Sequence, residues 1–357
     1  MTRFNSVLVA LSGGIDSSVA AFLLKEKGFQ VAGVYFRLIN DRESFEQTNS
    51  DHNRQRVKKV TQKLNIPLYE IDYQEDFYRV IITDFIEQYE KGFTPNPCIS
   101  CNEKVKFKLL NDFAAKESFD FIATGHYVRV EKDNKEGRYL LKRGLDENKD
   151  QSYFLYRINE SILSKCLFPL GNVKKEDTRK IAQEIGLPDY NSRESQEICF
   201  IPGNNYRKLL INFGKIKNEA GYFFDSAGNI LGRHKGISFY TIGQRRKTGL
   251  SLNSRKYVLK IIPESNSVII GDEIELYQRE FGVIAVKYVS SNPISLPTRL
   301  LVQIRYNTPP AWAMVYPWNG EKTKIVFDEA QRAIAPGQSA VFYDKETVLG
   351  GGIIKQF

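Results

Sequence analysis

The feature that most constrains this chain is the strand–helix alternation of its first 130 residues. VLVAL (residues 7–11) is an apolar run of strand length, and DSSVAAFLLKEKG after it has helical spacing and stops on Gly28. FQVAGVYFRLI reads as the next strand, RQRVKKVTQKLN as a helix, PLYEIDY as a strand and EDFYRVIITDFIEQYEKG as a helix. KVKFKLLNDFAAKE and FDFIATGHY repeat the unit. Such repetition predicts a doubly wound parallel sheet with helices on both faces, and ligands gather at the C-terminal ends of its strands. The rhythm changes near residue 205. From Gly221 onward, short strand-like runs (GYFFD, ISFYTI, KYVLKIIP, SVIIGD, GVIAVKYV, RLLVQIRY, TKIVFD, SAVFYD) alternate with Gly, Pro, Asn and Asp, the pattern of small antiparallel β domains. The expected organisation is α/β plus β: residues 1–205 form the parallel-sheet domain, 206–275 a central β-rich domain and 276–357 a C-terminal β domain.

The longest apolar runs are far short of a membrane span, and MTRFNSVLVAL enters the first strand too soon for a signal peptide. Four cysteines in 357 residues suit a reducing cytoplasm, with reactive or metal-ligating thiols in preference to structural disulfides. The formal charge of +9 favours a polyanionic partner.

LSGGIDSS, residues 11–18, falls where the first strand turns into the first helix. Gly13 and Gly14 lack Cβ, so backbone N–H groups can approach an anion, and the helix beginning near Asp16 adds its positive end. Ser12, Ser17 and Ser18 offer hydroxyl donors; Asp16 can cap the helix or help hold Mg2+. The lysine of a GxxxxGK[ST] loop is missing, which suggests that pyrophosphate leaves intact after attack at the α-phosphate. SGGIDSS matches the PP-loop of the ATP pyrophosphatases, whose members activate carbonyl oxygens as adenylates.

FTPNPCISCNEKVKF, residues 93–107, sets Cys98 and Cys101 three positions apart. The pair is open to zinc, a redox disulfide, an iron–sulfur cluster or a nucleophile. Zinc would need one of three histidines (His52, His126, His234) or a carboxylate to complete its ligands, and the PNP…N context is unlike a redox pair. Cys101 stands before the helix that carries Lys104 and Lys106, a setting expected to lower its thiol pKa. Cys199, in the apolar run ICFI, reads by itself as a buried structural thiol, and Cys166 in ILSKCLFPL as packing. RHKGISFYTIGQRRKTG, residues 233–249, is the densest basic stretch with interleaved aromatics; taken alone it reads as a solvated face, and in a tRNA enzyme it would be a candidate for phosphate contact.

TPNPCISCNEKVKF, ATGHYVRV, GLDENKDQSYFLY, ESQEICFIP, YTIGQRRKTGL and PGQSAVFYD…LGGGII, in this order, resemble the bacterial tRNA-specific 2-thiouridylase (MnmA/TrmU) family of the PP-loop superfamily. The resemblance spans nearly all 357 residues. It implies an ATP-dependent tRNA sulfurtransferase with a C-terminal β-barrel. ATP would adenylate the C2 oxygen of a wobble uridine, and persulfide sulfur from a cysteine desulfurase or relay protein would replace it. The family's nucleophile falls on Cys101 and its persulfide-bearing cysteine on Cys199. ATP contacts fall on Ala10, Leu11, Ser12, Gly13, Gly14, Ile15, Asp16, Ser17, Phe36 and Gly125. Contacts to tRNA fall on Asn96, Pro97, position 98, His126, Lys149, Asp150, Gln151, Arg305, Tyr306 and Gln338. The best-known form of the motif has aspartate where Cys98 stands. Three thiols at one site open a route through a 4Fe–4S cluster on Cys98, Cys101 and Cys199, beside the cluster-free persulfide route. Two other readings would use fewer of these motifs: a PP-loop ligase adenylating a small metabolite, and a non-catalytic RNA-binding protein with a CxxC metal knuckle.

Overall fold

The computed structural model describes residues 5–39, 50–187, 198–201, 203, 205–213, 219–250, 254–290, 294–318 and 322–356. The first seven strands are β1 (Ser6–Ala10), β2 (Gln30–Arg37), β3 (Leu68–Asp72), β4 (Phe121–Ala123), β5 (Val128–Lys132), β6 (Tyr139–Arg143) and β7 (Cys166–Leu167). Five of them make a wholly parallel sheet in the order β3-β2-β1-β4-β7. The expected double winding shows in β1, whose central residues are all buried and divide between the two faces of the sheet. Val7 and Val9 face one cluster with Val19, Ala20, Val57 and Val60, from helices α1 (Ile15–Glu26) and α2 (Ser50–Leu64). Leu8 faces the opposite cluster, with Phe107 and Leu110. Strand order reverses between β1 and β4, so their C-terminal ends open the crevice where such folds bind ligands.

Two helices carry π-turns. Helix α3 runs through residues 74–90 with a π-turn at Tyr78–Ile82. Helix α4 runs through 97–116 with a π-turn at Asn102–Lys106, and its junction residues keep right-handed helical dihedrals. The second case corrects the sequence reading, because α4 starts at Pro97 and takes both cysteines inside its first turns. Asn96 is the reason: its side chain accepts the Cys98 N–H at 3.2 Å, and Pro97 fills the first helical position.

The central sheet holds β8 (Gly221–Phe224), β9 (Ile230–His234), β10 (Tyr257–Ile262) and β11 (Ser267–Gly271) in the order β10-β11-β8-β9. It is not wholly antiparallel, since β11 pairs parallel with β8. ISFYTI, expected as a strand, is a 3-10 turn at Ile237–Phe239, and His234 Nδ1 accepts the Gly236 N–H at 3.0 Å to hold it. The last six strands are β12 (Tyr277–Tyr288), β13 (Thr298–Gln303), β14 (Ala311–Trp318), β15 (Lys322–Arg332), β16 (Ser339–Asp344) and β17 (Thr347–Lys355). Their order β12-β15-β14-β13-β16-β17 closes through β12–β17 into an antiparallel barrel around Phe281, Val315, Phe327 and Phe342. The β5–β6 hairpin, unread in the sequence, extends this sheet through β6–β17 and joins the barrel to the first domain. No helix among the described residues is long and apolar enough to cross a membrane.

Candidate functional site

The loop after β1 is tied down by its own hydroxyls. Ser17 Oγ accepts the Ser12 N–H at 3.1 Å and donates to Gly14 O at 3.1 Å, while Ser18 Oγ donates to the same carbonyl at 3.0 Å. Gly13 has φ +81°, and a Cβ there would sit 2.8 Å from Asn53 O. Gly14 is the N-cap of α1 without any side-chain cap bond, so Asp16 does not serve as the expected cap. Its Oδ1 instead accepts from the Tyr127 hydroxyl at 2.8 Å and from Lys175 Nζ at 2.6 Å. Gly125 follows β4 and presses on the same turn, where a Cβ would meet Ser17 N at 2.6 Å. Phe36 sits at the end of β2, partly buried. All the residues expected at an ATP site therefore share the crevice end of the sheet.

The three candidate thiols lie within electrostatic reach of one another and of Lys106. Cys101 is buried among Phe77, Phe85, Val105 and Phe200, and Cys98 is half-buried one turn earlier. Phe200 packs edge-on against Phe77 and Phe85 at 5.9 and 5.4 Å and anchors the turn that carries Cys199. Cys199 is an exposed residue, contrary to its reading as a buried structural thiol: the apolar residues that follow it, Phe200 and Ile201, are the buried anchor. Residues 194–197 and Pro202 of its motif lie outside the described residues. Cys166 is buried with Sγ 3.2 Å from Ile162 O, as packing requires.

Charge couples the three thiols to one another and to Lys106. Burial pushes Cys98 up to about 11, with Cys199 adding to the rise and Lys106 opposing it. Burial pushes Cys101 up to about 12 against the pull of Lys106. Cys199 is raised too; though solvent reaches it, the close wall of protein outweighs Lys106. The expected lowering of the Cys101 pKa is thus overturned, because the residue lies within a packed helix and desolvation exceeds the effect of the lysines. Burial disfavours the charge on Lys106, yet Cys101, Cys199 and Cys98 together raise its pKa.

His126 joins the two halves. It follows Gly125 in sequence, its ring lies 5.8 Å from that of Phe107 on α4, and burial followed by the Lys106 charge lowers its pKa to about 3. Thr124 Oγ1 accepts the His126 N–H at 3.4 Å and lies 2.7 Å from Nδ1.

A 4Fe–4S cluster does not fit this arrangement. Among the described residues no group of three His, Cys, Asp or Glu side chains is placed to hold a metal ion. All three cysteines lie within the described residues, and none is in a disulfide.

The residues expected to touch tRNA bind the protein itself. Asp150 accepts from Gly144 N, Ser152 N and Ser152 Oγ, and Gln151 Oε1 accepts from Tyr127 N. Arg305 donates to Ala333 O at 2.6 Å, Tyr306 packs on Phe154 at 4.4 Å, and Lys149 N donates to Asp146 O. Gln338 Nε2 donates to Thr94 O at 2.7 Å while Thr94 N donates to Pro336 O. A turn of the barrel thereby holds the loop segment leading into Asn96 and Pro97. In 233–249, Arg245, Arg246 and Lys247 are exposed but Phe239 and Tyr240 are buried, so the aromatics are core and not a stacking surface. Sequence reasoning did not single out Tyr127, although it stands in ATGHYVRV, nor Lys175, which stands in no motif.

Three family models cover the chain: a tRNA methyl transferase HUP domain at 5–203, a tRNA methyl transferase PRC-barrel domain at 213–272 and an aminomethyltransferase β-barrel domain at 278–354. Among curated relatives, the tRNA-specific 2-thiouridylase of Clostridioides difficile is 41% identical over 353 residues, 98% of each chain. That of Halothermothrix orenii is 43% identical, covering 98% of this chain and 99% of its own. One of Caldanaerobacter subterraneus is 45% identical, covering 99% and 98%. With the PP-loop at a sheet switch point and free thiols beside it, and with this identity along its whole length, the chain belongs to the tRNA-specific 2-thiouridylase family.

Proposed function

We propose that the protein is a cytoplasmic enzyme that converts a wobble uridine of tRNA to 2-thiouridine. The supporting observation is the Gly125–His126 turn, which presses on the first turn of α1 with one residue and on Phe107 and Lys106 of α4 with the next. ATP, entering as its magnesium complex, lies with its phosphates on Ser12, Gly13, Gly14, Ile15, Asp16 and Ser17 and its base near Phe36. Uracil O2 attacks the α-phosphorus, pyrophosphate leaves, and C2 gains AMP as leaving group. Backbone N–H groups at the start of α1 stabilise the departing anion.

Sulfur arrives from a cysteine desulfurase or relay protein as a persulfide on Cys199, the thiol open to a partner. Its terminal sulfur bonds to C2 and AMP departs. Cys101 then attacks Cys199 Sγ: a Cys101–Cys199 disulfide forms, the S–S bond to the base breaks, and 2-thiouridine leaves. A thiol reductant returns both cysteines to the reduced state. Lys106 lowers the cost of each thiolate on the way. Cys98, a protonated thiol in place of a carboxylate, supplies a hydrogen-bond donor beside the base instead of a general base. Asn96, Pro97, His126 and the 149–151, 305–306 and 338 positions frame the extruded nucleotide, whose pocket must exclude water.

The decisive experiment measures pyrophosphate release from ATP with and without transcript tRNA, followed by nucleoside analysis of the tRNA after addition of a persulfide donor. Release stimulated by tRNA together with 2-thiouridine is the expected result. Release with small metabolites alone would make the protein a PP-loop ligase, and no release at all would leave an RNA-binding role.

A further inference from the structure

The phosphate loop contains a carboxylate where it should least want one. Asp16 is the second residue of α1, in the turn that receives a polyphosphate, and its side chain is partly exposed. An unpaired carboxylate there would repel every ligand the loop is built for. Lys175 answers that charge from elsewhere in the chain. It opens helix α5 (Lys175–Glu184), about 160 residues downstream, and only 5% of it is exposed. Its ammonium sits 2.6 Å from Asp16 Oδ1 and 5.6 Å from the centre of the Tyr127 ring. Its position is fixed at both ends, because the Lys175 N–H donates to Asp146 Oδ2 at 2.9 Å. Tyr127, whose hydroxyl also lies 3.0 Å from Thr178 Oγ1 on α5, donates to the same carboxylate oxygen. Asp16 thus spends Oδ1 on two donors beneath the loop.

We infer that Lys175 is a positioning residue of the nucleotide site: it neutralises and orients Asp16, so that a loop without a lysine of its own accepts pyrophosphate. The inference rests on the nucleotide-binding reading above and adds a residue to it. A fold staple between α1 and α5 would look the same in a static structure but would treat all ligands alike. The charge role discriminates, since it acts on ligands that carry the β- and γ-phosphates and spares adenosine.

The test is calorimetric titration of the full chain with ATP, inorganic pyrophosphate and adenosine, for the wild type, Lys175→Met and Lys175→Arg. In Lys175→Met, affinity for ATP and pyrophosphate should fall by on the order of 30-fold or more, with adenosine unchanged. Lys175→Arg should recover most of the loss. If Lys175→Met does not fold, Lys175→Gln, which keeps an N–H donor toward Asp16 but no charge, carries the same expectation. Unchanged pyrophosphate binding in the folded variant, or an equal loss for adenosine, would overturn the inference. Failure of the wild type to bind ATP at all would strike the nucleotide-binding reading instead.

Discussion

The PP-loop and the thiol pocket lie on either side of Gly125 and are built by opposite means. The loop is one continuous stretch, held by hydrogen bonds among Ser12, Gly14, Ser17 and Ser18 within a single strand–helix turn. The pocket is assembled from three places: α4 brings Cys98, Cys101 and Lys106, the turn anchored by Phe200 brings Cys199, and the β4 end brings His126. The loop segment leading into α4 is held by a turn of a different domain, through Gln338 and Pro336. A locally built site is set by its own sequence. An assembled one depends on packing far away, and its electrostatics are those of burial.

The sharpest way to break this contrast is to disable each half separately. Cys101→Ala and Cys199→Ala should each lower tRNA thiolation by roughly a thousand-fold or more while tRNA-stimulated pyrophosphate release persists, as removal of a nucleophile does. Cys166→Ala should leave thiolation intact. Gly125→Ala should lower both activities together, by about a hundred-fold, because its Cβ must displace the Ser17 backbone. Pyrophosphate release and nucleoside analysis on the same variants read the two halves. Equal loss of both activities in the cysteine variants would mean that the halves are not separable.

The same contrast decides what could be read from sequence. SGGIDSS was legible because its glycines, hydroxyls and helix start serve one another within eight residues, and the parallel sheet because its strands are continuously apolar. The CxxC pair was legible as chemistry, but its setting was not. Asn96 and Pro97 start the helix earlier than the lysine-rich run suggested, so Cys101 is buried and its pKa goes up instead of down. Lys175 was invisible because a lysine among KKEDTRK reads as a solvated helix start, and only the tertiary fold takes it to Asp16. The β5–β6 hairpin was missed for a similar reason: its partner strand β17 lies some 200 residues away.

Thiol reactivity sharpens the electrostatic side of the comparison. With Cys98 near 11 and Cys101 near 12, thiolate is scarce at neutral pH. Alkylation of the native protein by iodoacetamide, followed by mass spectrometry, should label the exposed Cys199 first and Cys166 last. The Cys98 rate should rise about ten-fold per pH unit from pH 8 to 10 without a plateau. Lys106→Met should slow labelling of Cys98 and Cys101 at every pH in that range, since the lysine opposes the burial shift of both. A plateau below pH 8 would mean that thiolates are already formed, and would reopen metal ligation.

His126 offers the smallest effect, on stability. Its pKa falls from an unfolded value near 6.5 to about 3 in the fold, because burial and the Lys106 charge oppose protonation. Below pH 6.5 the unfolded chain therefore takes up a proton that the native state refuses. The stabilisation is fully present above that pH and is lost progressively as pH falls toward 3. The loss can reach at most about 1.4 kcal/mol per pH unit. Burial lowers the pKa of His234 as well, so the wild-type slope contains both histidines. His126→Gln removes one of them and keeps a polar side chain beside Thr124. Urea midpoints between pH 6.5 and 5.5, where any carboxylate contribution is shared by both proteins, should fall less steeply for His126→Gln than for the wild type. Parallel slopes would mean that His126 is protonated in the fold, and that the turn between phosphate loop and thiols is wetter than its packing against Phe107 implies.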